Sequence, residues 1–171
     1  MRSQPTATKP IPELLPSDVL LYGSRCLADF IIYIKTYSDV GHVEIYEGDS
    51  MSSAARAQGV NLYPLRLDGL RYVYRPVSKP DNEAAQAWFK SHAQGDRYYW
   101  LGLLGFDWPE NHPLKYFAEV GQHQMFCSMY GAQRLRAANI QVFNRNFPAE
   151  KVPPMLFKTS PELDLIWSYI D

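Results

Sequence analysis

Apolar and polar positions change rhythm several times along this chain. From His42 to Tyr46 they alternate strictly, with Val43 and Ile45 on one face and His42, Glu44 and Tyr46 on the other, which predicts a half-buried strand. Asp18–Tyr22, upstream, is short and rich in β-formers. Downstream, Gly48-Asp49 is a hairpin signal, and Met51–Arg56, Val60–Leu65 and Tyr72–Val77 continue the β-rich run, so an antiparallel meander of four or five strands is expected. The period becomes helical at Arg25–Thr36, where Leu27, Phe30, Ile31 and Ile34 recur at i, i+3, i+4, i+7. A second helix follows Asp81, a capping residue, with Ala85, Trp88, Phe89 and His92 on one stripe and Gly95 at its end. Phe126–Ala138 reads as a third, with Arg134 and Arg136 at the negative end of its dipole and Asn139 just past it. Thr159-Ser160-Pro161 is expected to open a last helix that buries Leu163, Ile166, Trp167 and Ile170. The aromatic run Tyr98–Trp108 fits a short helix and a packed loop equally well. Pro5, Pro10, Pro12 and Pro16 make residues 1–16 an irregular arm leading to one domain over 17–171. The class is α+β, an antiparallel sheet packed against helices.

Composition narrows the partners. A chain of 171 residues can bury roughly 70% of its unfolded surface, so its core needs no disulfide or metal staple. Its 17 basic and 18 acidic side chains nearly cancel and never form a like-charge block, which removes a broad nucleic-acid footprint. The longest apolar run, Phe30–Ile34, falls far short of the roughly 20 residues that span a bilayer. Met1–Pro16 lacks the apolar segment of a secretory leader, so export by the general route is not expected and the compartment is left open. Cys26 and Cys127 show no scaffold spacing and are read as free thiols, with Cys26 shielded on the first helix.

One of these thiols sits where chemistry favours it. Cys127 falls in the first turn of the Phe126–Ala138 helix, where unsatisfied backbone N–H groups lower a thiol pKa and can hold an oxyanion. A buried free Cys that serves only as a small hydrophobe is the competing reading. Of the four histidines, His42 is the best base, because a strand holds its ring rigidly and the same face carries Glu44 and Tyr46. A lone strand histidine is also often just a satisfied surface residue. His123, four positions before Cys127, competes as a base only if the helix runs back through Gln122, while His92 and His112 are read as structural. No phosphate-cradling glycine motif and no metal-ligand spacing is present, so neither cofactor nor metal is expected. Glu44 and Glu47 face opposite sides of one strand and do not make a carboxylate dyad.

Three stretches together resemble a known family. Pro16-Ser17-Asp18-Val19-Leu20-Leu21 is similar to an opening PGD-plus-apolar strand, Gly41-His42-Val43-Glu44-Ile45-Tyr46-Glu47-Gly48 to an SHVGIYxG strand, and Phe126-Cys127-Ser128-Met129-Tyr130 to a YCSEL helix start. These belong, in this order, to the circularly permuted, NlpC-like branch of the papain-fold cysteine peptidases, which includes the YiiX/YebB-like proteins and the related lecithin:retinol acyltransferase-like enzymes. Tyr99–Asp107 resembles the aromatic segment before the cysteine, and Thr159-Ser160-Pro161 a late SP turn, so the resemblance covers about residues 16–167.

The resemblance implies a permuted papain-like fold in which His42 is general base and Cys127 the nucleophile that forms a thioester. It implies amide hydrolysis of a peptidoglycan stem peptide, whose small residues suit an open cleft. Tyr22, Tyr46, Tyr99 and Trp100 are then the aromatic candidates for substrate contact. Two rival readings stay open: turnover of an acyl chain, with Tyr98–Trp108 lining an apolar groove, and a module that has lost catalysis and serves in a larger assembly. The chain departs from the family pattern at the third catalytic residue. The strand after His42 reads Met51-Ser52-Ser53-Ala54 where the family supplies a polar orienter, which leaves Ser53 or Glu44 for that role. Glu44 stands where the family commonly has glycine, so its carboxylate either orients His42 or narrows the cleft, and Met129 replaces an acidic residue.

Overall fold

A computed structural model describes residues 10–23, 38–99, 124–144 and 146–169. The expected helix over Arg25–Thr36, with Cys26, lies outside the described residues, as do Trp100–Trp108, His112, His123 and Ile170. The described part is α+β. Its main sheet has six antiparallel strands: β1 (Val19–Tyr22), β2 (His42–Gly48), β3 (Met51–Arg56), β4 (Gly59–Pro64), β5 (Leu70–Pro76) and β8 (Leu163–Ser168), in the order β4-β3-β2-β1-β5-β8. A two-residue parallel pair, β6 (Arg97–Tyr98) with β7 (Gln124–Met125), stands apart and brings the chain to the start of the main helix.

The meander expectation holds for β2, β3 and β4, which are joined by tight turns. Gly48, Asp49 and Ser50 turn at positive φ of 97°, 49° and 57°. After β4 the chain does not continue to a neighbouring strand. Leu65–Gly69 crosses back over the sheet so that β5 adds on the far side of β1. The crossing is pinned where the Tyr22 hydroxyl donates to the Arg66 carbonyl at 2.9 Å and the Arg66 guanidinium lies 5.0 Å over the Tyr22 ring.

The two described helices are α1 (Asn82–Trp88) and α2 (Cys127–Ala137). Asp81 caps α1 by accepting from the Ala84 N–H at 3.0 Å, and a single π-turn over Phe89–Ala93 carries the chain to Gly95, which turns at φ +89°. At the end of α2, Asn139 adopts φ +62°, and the N–H groups of Ile140 and Asn139 donate to the carbonyls of Leu135 and Arg136 at 2.9 and 3.0 Å. That paired bonding closes the helix C-terminus without leaving its last carbonyls orphaned.

One expected helix is a strand. The chain after Ser160 forms β8 and pairs with β5 from Pro76↔Leu163 to Tyr72↔Ser168, with a bulge at Val73/Tyr74. Spacing at 163, 166, 167 and 170 mimics a helical stripe, but so short a run, rich in Ile, Trp and Tyr, cannot nucleate a helix alone and gains more by completing the ladder along β5. The bulge supplies the irregular spacing: Leu163 and Trp167 are buried while Leu165 is exposed.

Two apolar clusters cover the two faces of the sheet. Val19, Leu21, Val43 and Ile45 pack with α2 through Cys127, Tyr130 and Leu135, while Leu20, Tyr22, Leu70, Val73 and Trp167 form a smaller cluster joined by Ile11 and Leu14 of the arm. The close approach of α2 to β2 depends on Gly131, where an added Cβ would stand 3.0 Å from Val43 Cγ1 and 3.4 Å from Phe157 Cζ. Val43 and Phe157 are fully buried and have nowhere to go. Gly131→Val is therefore expected to cost about 3 kcal/mol through overpacking, read as a lower urea midpoint at unchanged slope.

Candidate active site

The start of β2 is a corner of the sheet. His42, Val43 and Glu44 pair with Tyr22, Leu21 and Leu20 of β1 on one side, whereas the described ladder to β3 begins only at Ile45↔Ser53. Glu44 uses that corner fully buried. One of its oxygens accepts from His42 Nε2 at 3.1 Å, Arg56 Nε at 3.0 Å and Arg66 Nη2 at 3.0 Å. The other accepts from Ser52 Oγ at 2.7 Å and Arg56 Nη2 at 2.8 Å. Burial works against the charge, but these donors outweigh it, and the Glu44 carboxyl is held well below the ordinary carboxylate range.

Cys127 is the first residue of α2, preceded by Phe126 in extended conformation, and no side chain caps the helix there. The first backbone N–H groups of α2 thus carry the positive end of its dipole beside the sulfur. The His42 ring interacts with Cys127 as a hydrogen-bond partner and as a charge. Nε2 is the ring nitrogen turned to Glu44. Burial pushes the imidazole down, yet the Cys127 charge and hydrogen bond, and then Glu44, push it up further, to about 10. An imidazolium is therefore retained across neutral pH next to the sulfur.

The third polar residue comes from β2 itself. Glu44 touches the ring, whereas the Ser53 hydroxyl is turned to the other face of the sheet and donates to Glu47. Strand alternation is the reason: Ser52 shares the Glu44 face and Ser53 the helix face. Glu47, also on the helix face, accepts from Arg134 of α2 at 3.1 and 2.6 Å, so the two glutamates do serve opposite sides. Glu44 has no exposed surface and does not narrow a cleft.

The aromatic candidates divide. Tyr22 is fully buried with its ring centroid 6.1 Å from that of His42, and it supports the imidazole from behind instead of offering a face to substrate. Tyr99 is buried too, with its N–H donating to the Met125 carbonyl at 3.0 Å, and Tyr46 packs at the edge of the smaller apolar cluster. Trp100 lies outside the described residues. His92 stacks on Trp88 and bonds Ser91, away from this corner. The open cleft expected from the resemblance is absent at the sulfur, since Cys127 has no exposed surface and His42 is 4% exposed.

Arg56 and Arg66 are functional neighbours that the sequence pattern does not reveal. Arg56 sits one strand away and Arg66 in the crossing loop, 22 positions from Glu44, so no local pattern marks either one. The only available signal was Glu44 itself, a charge at a buried strand position that must find cations. Among the described residues no group of three His, Cys, Asp or Glu side chains gathers as a metal site. None of their helices is long and apolar enough to cross a membrane. No protein-family model and no curated protein matches the chain.

Glu44→Gln leaves Arg56, Arg66 and His42 facing a neutral amide, and a loss of about 3–5 kcal/mol is expected near pH 7. Because the folded protein holds Glu44 below its ordinary value of 4.5, its contribution is complete above that pH and drains as the pH falls beneath it. Urea unfolding of both proteins between pH 7 and about pH 3 tests this, since the gap between them should narrow toward the acid end. A gap independent of pH would show that Glu44 acts by shape alone.

Proposed function

We propose that the protein is a cysteine hydrolase in which Cys127 attacks an amide carbonyl, with the permuted NlpC-like, papain-fold arrangement that the sequence resembles. The observation that carries this reading is the meeting of Cys127, at an uncapped helix N-terminus, with a buried His42 that is itself tied to Glu44. Each group has the chemistry its role requires.

The imidazolium beside Cys127 supports the thiolate, the reactive form of a cysteine. The sulfur adds to the carbonyl carbon, and the resulting oxyanion is held by N–H groups of the first turn of α2. Collapse of this intermediate breaks the C–N bond while His42 gives its proton to the departing amine, leaving a thioester on Cys127. Water, deprotonated by the now neutral His42, then adds to the thioester carbonyl, and the sulfur leaves with the acid as product. Glu44 accepts from the ring throughout and so fixes its orientation. The reading of a module that has lost its third polar residue is weakened, because Glu44 supplies a carboxylate to the ring from within β2. The substrate class that the resemblance brings is a peptidoglycan stem peptide.

Digestion of purified peptidoglycan followed by mass spectrometry of the released fragments tests the assignment. New peptide termini are expected with the intact protein and none with Cys127→Ala or His42→Ala. Cleavage retained in full by both variants would overturn it. Independently, His42→Ala is expected to slow iodoacetamide alkylation of Cys127 at pH 6–7 by about tenfold or more, because the cation that supports the thiolate is gone.

A further inference from the structure

Charge at the Glu44 corner does not balance. Two guanidiniums, Arg56 and Arg66, and the imidazolium of His42 surround one carboxylate, and even with Cys127 ionised there are three positive groups against two negative. Glu44 cannot absorb more, since its two oxygens already take donors from His42, Ser52, Arg56 and Arg66. The surplus also lies on the outer side. Glu44 has no exposure, whereas the side chains of Arg56 and Arg66 are 17% and 34% exposed, so an approaching anion meets the guanidiniums before the carboxylate. Both are held in place, Arg56 over the Tyr63 ring at 4.2 Å and Arg66 over Tyr22 at 5.0 Å. Arg66 gives Glu44 only an Nη2 bond, and its Nε is buried with no hydrogen-bond partner. The exposed part of the Arg66 side chain is thus free of Glu44 except through one nitrogen, and a pre-ordered guanidinium of that kind is what a carboxylate ligand binds.

We propose that Arg56 and Arg66, beyond holding Glu44, form an anion subsite that selects a substrate bearing a carboxylate a few bonds from the carbonyl attacked by Cys127. The inference rests on the Cys127–His42 reading. Arg66 bonds the same Glu44 oxygen as His42 Nε2, so the subsite lies beside the Nε2 edge of the imidazole. A substrate that spans the imidazole would place its carboxylate on Arg66 and its carbonyl at Cys127. A peptide supplies that pairing through an acidic side chain or a chain-terminal carboxylate.

Two alkylating reagents of nearly equal size separate charge from reactivity. N-iodoacetyl-glutamate amide and N-iodoacetyl-glutamine amide each form an S–C bond and release iodide, and they differ in carrying a carboxylate or a carboxamide several bonds from the carbon attacked. The ratio of their rates at Cys127, read by mass spectrometry on the full chain and divided by the same ratio for free cysteine, cancels the intrinsic reactivity of the thiol and any opening step. We expect a normalised ratio of about ten, falling toward one in Arg66→Gln and Arg56→Gln and at high salt, and kept in Arg66→Lys, which retains the charge. A ratio at or below one in the native protein, or one that neither glutamine variant lowers, overturns the subsite. If the glutamine reagent labels Cys127 in a His42-dependent way while the ratio is one, only the subsite falls. A Cys127 that neither reagent labels overturns the Cys127–His42 reading and the subsite with it.

Discussion

A carboxylate taken wholly out of water persists only if its charge and lone pairs are matched, and the corner of the sheet around Glu44 is arranged to match one. Ser52 and Arg56 come from β3, His42 from β2 and Arg66 from the loop that crosses back to β5. Those parts are distant in sequence and share one partner, so the carboxylate couples the register of β2 and β3 to the path of the crossing loop. Were any one of them displaced, the others would be left holding an uncompensated buried charge. The orientation of His42 is thus a by-product of a constraint that joins β2, β3 and the crossing loop.

The opposite face is fixed by a second glutamate on the same strand. Glu47 binds Arg134 through two bonds, and Arg134 lies seven residues, or about 10 Å, along α2 from Cys127. Gly131 between them lets the helix settle against Val43. The distance between sulfur and imidazole is therefore set by a rigid helix anchored at its far end and pressed onto the strand in its middle, while the ring is anchored from the other side of the sheet. Alternation along β2 assigns one glutamate to each job.

Much of this was legible in the sequence, and the failures have physical causes. The strand over His42–Tyr46, the turn at Gly48-Asp49, the cap at Asp81 and the left-handed Asn139 are local signals, and each appears where expected, but the strand is buried on both faces and not on one, because Glu44 brings its own counter-charges to the polar face. β8 was misread because a bulge lent an eight-residue run a helical spacing, and a neighbour's open edge outweighs local period in so short a segment. Between Ser53 and Glu44, strand parity places Glu44 on the His42 face, and the carboxylate is the group that bonds the ring. Arg66 could not be found at all. Its role depends on Leu65–Gly69 crossing the sheet, a tertiary choice that no window of sequence contains.

How the charges are shared bears on what Glu44 contributes. Burial lowers the affinity of His42 for its proton, and the largest opposing influence is Cys127, with Glu44 second. Glu44 in its turn is held ionised first by His42, and then by Arg56 and Ser52. It acts first by geometry, accepting at Nε2 and so fixing the orientation of the ring, and only second as a counter-charge. On the proposed reading, the charge that most favours the imidazolium is that of Cys127, so acylation of the sulfur would remove it and free the ring to give its proton to the leaving amine.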